Sequence, residues 1–225
     1  MVSSDRALVL FTKPARPGRV KTRLIGGAAG ELTAEEAAAL HWALVLDQLG
    51  RLEGGDFDLS IAWAIEDGET APELGFSALL QSGTTLGERL YRGLAEVASE
   101  AHFIAAVGSD HPQLTLAVVE EGFRRLDDGT DLILGPAADG GYYLIGLRAE
   151  RLSPRLFADI PWSTGQVLTA TLERGRELGL AVDLLDEGHD VDRPADLARL
   201  ARSLSMNEGG CPRTHALLES WGLVS

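Results

Sequence analysis

One cysteine, Cys211, stands in 225 residues, so neither a disulfide within the chain nor a cysteine-rich zinc site can form. A single thiol suits a reducing compartment. Long apolar runs are missing too: none approaches the roughly 18 residues that a membrane span needs. The opening MVSSDRALVLF offers only residues 7–11 as a continuous apolar core, too short for a signal peptide. The expectation is a cytoplasmic protein with no membrane span. Positive charge is scarce as well. Against 34 Asp+Glu there are 20 Lys+Arg, a net charge of −14, and such a field repels nucleic acid and anionic membrane. Internal repeats and low-complexity linkers are absent. What is present, 45% hydrophobic and 24% charged residues, is the composition of a globular chain able to bury a substantial core.

The scarce positive charge is unevenly placed. Residues 11–24 read FTKPARPGRVKTRL and hold Lys13, Arg16, Arg19, Lys21 and Arg23, while no carboxylate occurs between Asp5 and Glu31. Fields act over about 10 Å at ordinary salt, so such a loop can capture a small anion despite the acidic whole. It is not a Walker A loop, because Lys21-Thr22 lacks the preceding glycine, and GGAAG at 26–30 has the wrong spacing for a dinucleotide fingerprint. Prolines stiffen the segment and Gly18 permits a tight turn. A charge run is ordinarily a solvated loop; the lack of acids here favours an anion site able to surround a phosphate chain.

Apolar runs at 6–11, 57–65, 103–108, 131–135, 142–147 and 180–185 predict strands. Helices are predicted from Thr33 to about Leu49 and from Thr85 to about Ser99, each opened by a T-x-x-E capping box. Further helices fit 113–126, with Pro112 at its start, 164–178, and 194–203 with Pro194 in the first turn. Alternation of this kind implies parallel pairing in a three-layer α/β/α domain with a mostly parallel sheet. The domain is expected over 1–205, followed by a tail at 206–225 with a short helix near 213–220.

In such sheets ligands bind beyond the carboxyl ends of the strands, and four polar clusters fall there. The first is the basic loop. SDHP (109–112) brings Asp110, which either caps a helix or holds a hard divalent cation, since Mg²⁺ takes few carboxylates and shares phosphate oxygens. His111 is less suited to that ion. HDVDRPAD supplies Asp190, Asp192 and Asp196; Asp196 suits a helix N-terminus, whereas Asp192 lies ahead of the helix and could reach the same ion as Asp110. GPAADGGYYLIG places Asp139 before Gly140-Gly141, either a simple turn or an acceptor site with Asp139 as a base. PWST (161–164), with Trp162, Ser163 and Thr164, could line that acceptor pocket, although Trp162 equally fits a core.

FTKPARPGRVKTRL, QSGTTLGERL, GSDHPQL, GPAADGGYYLIGL, IPWST and DVDRPADL together resemble, in this order, a family of bacterial glycosyltransferase-like proteins. That family is described as arsenosugar-biosynthesis or radical-SAM-associated transferases, distantly similar to 2-phospho-L-lactate guanylyltransferase. The resemblance spans about residues 6–204, and the later CPRTHALL extends it. It implies a GT-A-like fold, shared by nucleotide-diphospho-sugar transferases and nucleotidyltransferases, and Mg²⁺ or Mn²⁺ as cofactor. It further implies Asp110 and Asp192 as metal ligands and Lys13, Lys21 and Arg23 as phosphate contacts. Gln81, Gly83 and Arg89 fall in a segment near the nucleobase or ribose, and Phe11 and Gly18 complete the nucleotide side.

Asp110, Asp139 and Lys21 are the expected catalytic groups; Asp139, Gly140, Gly141, Trp162, Ser163 and Thr164 are expected to hold a small-molecule acceptor. One departure is the S-D-H at Asp110 in place of the D-x-D usual in glycosyltransferases. The favoured expectation is glycosyl transfer from a nucleotide-diphospho-sugar. The alternatives are nucleotidyl transfer from a nucleoside triphosphate with loss of pyrophosphate, and an inactive nucleotide-binding module. A homodimer is left open.

Overall fold

A computed structural model of the chain describes residues 5–26, 31–66, 68–206 and 210–224. Residues 27–30 of the GGAAG run and 207–209 of the expected tail lie outside them. The first apolar run forms β1 (Arg6–Thr12). Its side chains alternate between two cores, Leu8 and Leu10 entering one and Ala7 the other, as the two-residue period of a strand requires. β1 lies between parallel neighbours, β2 (Asp58–Trp63) and β4 (Phe103–Gly108). With β3 (Ser77–Leu80), β5 (Leu132–Pro136), β6 (Tyr142–Arg148) and β7 (Val182–Leu184) they make a sheet ordered β3-β2-β1-β4-β6-β5-β7. β6 runs antiparallel to both neighbours, β4 and β5, and every other pairing is parallel.

Helices cover both faces. On one side α1 (Ala34–Leu52) and α3 (Leu116–Asp127) pack Val45, Leu49, Val119 and Phe123 against the sheet. On the other, α2 (Leu86–Val97) contributes Leu90 and Leu94, with Leu168 and Leu172 of α4 (Val167–Glu177) packed alongside. This is the expected three-layer α/β/α architecture. α1 is buried on two sides, because Leu40 and Leu44 join a third cluster with Leu200 of α5 (Pro194–Ser205) and Leu218 of α6 (Pro212–Ser220). Residues 211–224 pack there through Cys211, Leu218 and Val224. The Asp47 carboxylate of α1 accepts from the first backbone amides of α6, Arg213 at 3.0 Å and Thr214 at 2.8 Å, which supplies acceptors to donors a helix leaves unpaired. No helix among the described residues is long and apolar enough to cross a membrane.

Three local expectations need correction. α3 begins at Leu116 and is capped by Thr115, which accepts from Val118 N at 3.3 Å. Pro112 therefore sits in the preceding turn, and Asp110 does not cap this helix. At α2 the capping box is only half made: Thr85 accepts from Glu88 N, but the Glu88 carboxylate turns to Thr84 N at 2.8 Å and Thr84 Oγ1 at 3.1 Å. The box at Thr33 and Glu36 is complete. The strand β3 has no counterpart in the sequence reading. It is an edge strand paired to β2 alone, and its residues are largely exposed, so it carries no buried apolar pattern to recognise.

Candidate nucleotide site

The chain leaves β1 toward β2 on one side, while β4 lies on the other, so strand order reverses between β1 and β4. At such a switch point the following loops diverge and open a crevice. Thr12 and Ser109 close its floor with a 2.9 Å hydroxyl–hydroxyl bond. Above it lies a cleft of about 930 Å³, within the range of small-molecule sites.

The basic loop forms one wall. Val20 and Leu24 are buried, and between them Lys21 adopts a left-handed conformation, φ 48°, that starts a 3-10 turn over Thr22–Leu24. A left-handed non-glycine residue costs roughly 1–2 kcal/mol, and the two apolar anchors hold it. The result points the Lys21 side chain inward, only 2% exposed. Its ammonium donates to Val191 O at 2.6 Å, pairs with the Asp110 carboxylate, and lies 3.4 Å from Asp192 Oδ1. Asp110 arrives from the end of β4 and Asp192 from the loop after β7. Val191 N bonds Asp110 O at 3.0 Å and fixes these two loops together. Asp196 accepts from Asp192 N and Arg193 N, so it caps α5 as its position suggested. Arg23 reaches Asp192 Oδ2 at 3.8 Å and is 59% exposed to the cleft.

Burial works to lower the Lys21 pKa, but the Asp110 and Asp192 charges outweigh it and hold the value above the usual lysine range. The two carboxylates diverge. Burial works to raise Asp110, yet Lys21 and then His41 pull it below the ordinary value. Asp192 is raised, first by burial and then by Asp110 and Asp190, against the pull of Lys21.

His41 escaped the sequence reading. It is a buried residue on the apolar helix α1, and nothing but a lone histidine in that helix signalled it. Nε2 donates to Lys13 O at 3.0 Å, and Nδ1 lies 3.9 Å from Asp110 Oδ1. Burial lowers its pKa. It braces the start of the basic loop against the β4 loop from behind. Gln48, also on α1, donates to Gly108 O at 2.9 Å and fixes the same loop.

Gln81 follows β3 and lines the cleft. Its amide nitrogen is held by Ala62 O at 2.9 Å and Thr12 O at 3.2 Å, which leaves the amide oxygen as its free polar atom. The opposite wall comes from the loop between β5 and β6, from β6 and from the segment before α4. Asp139, Gly141, Tyr142, Trp162, Ser163 and Thr164 all line it. The Asp139 Oδ1 accepts from Gly141 N at 2.9 Å, the turn expected of this stretch. Ser163 has φ 65°, a second left-handed non-glycine residue facing the cleft. Thr164 Oγ1 donates to Pro161 O at 2.7 Å and accepts from Gln166 N. His189 also faces the cleft, its Nδ1 buried without a hydrogen-bond partner among the described residues.

Of the expected residues, Phe11, Lys13, Lys21, Arg23, Gln81, Asp110, Asp139, Gly141, Trp162, Ser163, Thr164 and Asp192 meet around this one cleft. Gly18, Gly83, Arg89 and Gly140 do not line it. Gly18 makes a turn at φ 73°. Arg89 Nε is bound back to Gly83 O at 3.1 Å, closing the loop before α2. Gly140 serves packing: a Cβ there would meet Gly165 O at 2.2 Å, so glycine lets the loop before β6 touch the segment before α4.

Two carboxylates and a backbone carbonyl are hard oxygen donors of the kind Mg²⁺ or Mn²⁺ accepts, particularly when phosphate oxygens complete the shell. Among the described residues no group of three or more His, Cys, Asp or Glu side chains converges as a self-sufficient metal cage. The donor set therefore fits an ion shared with a ligand, and Asp110, Asp192 and Val191 O would hold it.

Residues 45–164 match the family described as "Uncharacterized protein conserved in bacteria (DUF2064)". The crystal structure of a candidate nucleotide-diphospho-sugar transferase from Desulfovibrio desulfuricans G20 is 32% identical, with 98% of this chain and 96% of that one covered at a TM-score of 0.86. The chain belongs to the DUF2064 family. The family match contains Gln81, Asp110, Asp139 and Trp162, while the basic loop and Asp192 lie outside it. More distant structures share the fold. CMP:2-keto-3-deoxy-manno-octonic acid synthetase complexed with CTP is 12% identical, with 90% and 99% coverage and a TM-score of 0.57. Glucosyl-3-phosphoglycerate synthase from Mycobacterium tuberculosis, in complex with Mn²⁺, UDP and glucosyl-3-phosphoglycerate, is 15% identical, with 94% and 80% coverage and a TM-score of 0.51. This DUF2064 protein thus has the GT-A-like fold that nucleotide-diphospho-sugar transferases and nucleotidyltransferases share. No curated protein matches its sequence.

Proposed function

We propose that the protein is a metal-dependent transferase that uses a nucleotide donor, favoured as glycosyl transfer from a nucleotide-diphospho-sugar to a small-molecule acceptor. The observation that carries this reading is the Lys21–Asp110–Asp192 cluster at the switch point, with Lys13 and Arg23 on the same wall. The designation of the Desulfovibrio relative supports it. The donor's phosphates would lie along Lys13, Lys21 and Arg23, with its base toward Phe11 and Gln81. The sugar then projects to the wall of Asp139 and Trp162.

In the reaction, the bond between the anomeric carbon and the diphosphate oxygen breaks. A bond from the acceptor hydroxyl oxygen to that carbon forms, and the hydroxyl proton passes to Asp139, whose Oδ2 is not engaged by Gly141 N. Lys21 and Arg23 stabilise the charge gathering on the leaving diphosphate, where fixed cations contribute most. A bound Mg²⁺ or Mn²⁺ would add Lewis-acid neutralisation of the same oxygens.

A second reading rests on Asp110. It is a single carboxylate, completed by Asp192 from a distant loop, and this suits nucleotidyl transfer, in which a substrate oxygen attacks the α-phosphorus of a nucleoside triphosphate and pyrophosphate leaves. The resemblance to arsenosugar-biosynthesis transferases supports the first reading, and that to 2-phospho-L-lactate guanylyltransferase the second. Incubating the protein and Mn²⁺ with nucleotide sugars and with nucleoside triphosphates separates them. Release of a nucleoside diphosphate is the expected result. Pyrophosphate release selects the second reading, and neither product together with no nucleotide-dependent melting shift rejects both.

A further inference from the structure

The donor set that fits a divalent ion already holds a cation. An ammonium has three N–H donors, and Lys21 meets three acceptors: the Asp110 carboxylate, Asp192 Oδ1 and Val191 O. These are the same oxygens that a metal would take. With its side chain 2% exposed, the ammonium sits inside this cage. Two cations a few ångströms apart repel strongly at the modest effective dielectric of a protein site, so the lysine and a divalent ion exclude one another. Anchored by Val20 and Leu24 but carried on a flexible four-carbon stem, the Nζ can leave without moving its backbone. Its hold is uneven, since Asp192 is the more distant carboxylate and also answers to Arg23.

We infer that Lys21 is a resident cation that keeps the Asp110–Asp192 site closed to divalent metal until a nucleotide's phosphates draw the ammonium away. Metal then enters only with the nucleotide, in an ordered and coupled way. The inference deepens the proposed function and rests on it for what unseats the lysine; the closed state itself depends only on the cage geometry. A resident lysine keeps the charges of the empty cleft paired, and its own ammonium, 2% exposed, would be costly to leave unpaired.

The test measures Mn²⁺ retained by the protein in ultrafiltration, with electron paramagnetic resonance of the free ion, for the wild type and Lys21→Met. The wild type alone should retain no Mn²⁺ up to about 1 mM, while Lys21→Met should bind it at least about tenfold more tightly without any nucleotide. Lys21→Gln, whose amide nitrogen still offers two N–H donors without the charge, gives the same reading if the methionine variant folds poorly. Tight Mn²⁺ binding by the nucleotide-free wild type overturns the inference without recourse to any variant, and so does a folded Lys21 variant with no gain. UDP, GDP and CTP are then added to the wild type. If Lys21→Met gains Mn²⁺ but none of these nucleotides raises Mn²⁺ uptake by the wild type, the nucleotide reading falls while the lysine-closed cage stands.

Discussion

Arg16 and Arg19 stand at one end of the basic loop, Lys21 and Arg23 at the other, and the two pairs meet very different acids. Arg16 bonds Glu69 at 2.9 Å and Arg19 bonds Glu66 at 3.2 Å, with arginine side chains 47% and 65% exposed. Both acids belong to the segment after β2, Glu66 exposed and Glu69 half-buried. Lys21 instead penetrates the sheet edge and meets carboxylates that arrive from β4 and from beyond β7. One uninterrupted run of positive charge in the sequence thus holds an exposed arginine such as Arg16 and a lysine turned fully inward. The dividing element is local: buried Val20 and Leu24 flank Lys21, whose left-handed backbone turns its side chain inward. Charge density in a sequence marks a region, and the local backbone and the apolar residues between the charges decide which of them turns inward.

The comparison is broken most severely at Lys21. Lys21→Ala should lower the transfer rate by about 100-fold or more, the usual cost of removing a preorganised group from developing phosphate charge. Steady-state assay with the active donor checks this, and Arg16→Ala assayed in parallel should stay within about twofold.

A smaller effect is expected from pH in the metal-free protein. Lys21 titrates above its ordinary 10.5, so its stabilising pairing is complete below 10.5 and is lost as pH rises through the raised value. Asp110 titrates below its ordinary 3.8; its contribution is present above 3.8 and is lost as pH falls through the lowered value. Asp192, raised above 3.8, acts oppositely and tempers the acid limb. Melting temperatures measured in chelator from about pH 3 to about pH 11 should therefore fall at both ends. In Lys21→Met the alkaline component should vanish, and the acid loss should shrink, because Asp110 no longer has beside it the charge that held it below its ordinary value. Superimposable wild-type and variant profiles would sink this account of the pair.

The smallest effect is expected at Arg16. Arg16→Ala should cost less than about 1 kcal/mol in urea unfolding, and added salt should shrink even that. A larger loss would mean that Arg16 is structurally coupled to the cleft and would erase the contrast.

Much of this was legible in the chain. Strands such as RALVLF and FIAAVG are short apolar runs ended by polar loops, and T-A-E-E announces the start of α1 by its capping pattern. The placement of Asp110 and Asp139 followed, because the loops that leave the carboxyl ends of like-directed strands open at the same edge of the sheet. The pairing of Lys21 with Asp192 was harder: the partners are 171 residues apart, and only the register of the sheet brings their loops together. His41 was hidden because its role depends on which side of a doubly buried helix meets the β1 loop. The strand β3 was hidden because an exposed edge needs no apolar pattern. The contact of Arg89 was hidden as well: from the first turns of α2 its Nε donates back to Gly83 O, across a turn that no sequence pattern marks.

The Asp47 contact with α6 has a consequence for how the molecule is made. α1 is synthesised early, yet its carboxylate finds its backbone donors 166 and 167 residues later in the chain. Until those residues clear the ribosome, the outward side of α1, with Leu40 and Leu44, lacks its cover. Such nascent apolar surface is what folding helpers bind and what aggregation exploits. The cleft braced by His41 on that same helix is thus completed from behind, by the last helix to emerge among the described residues.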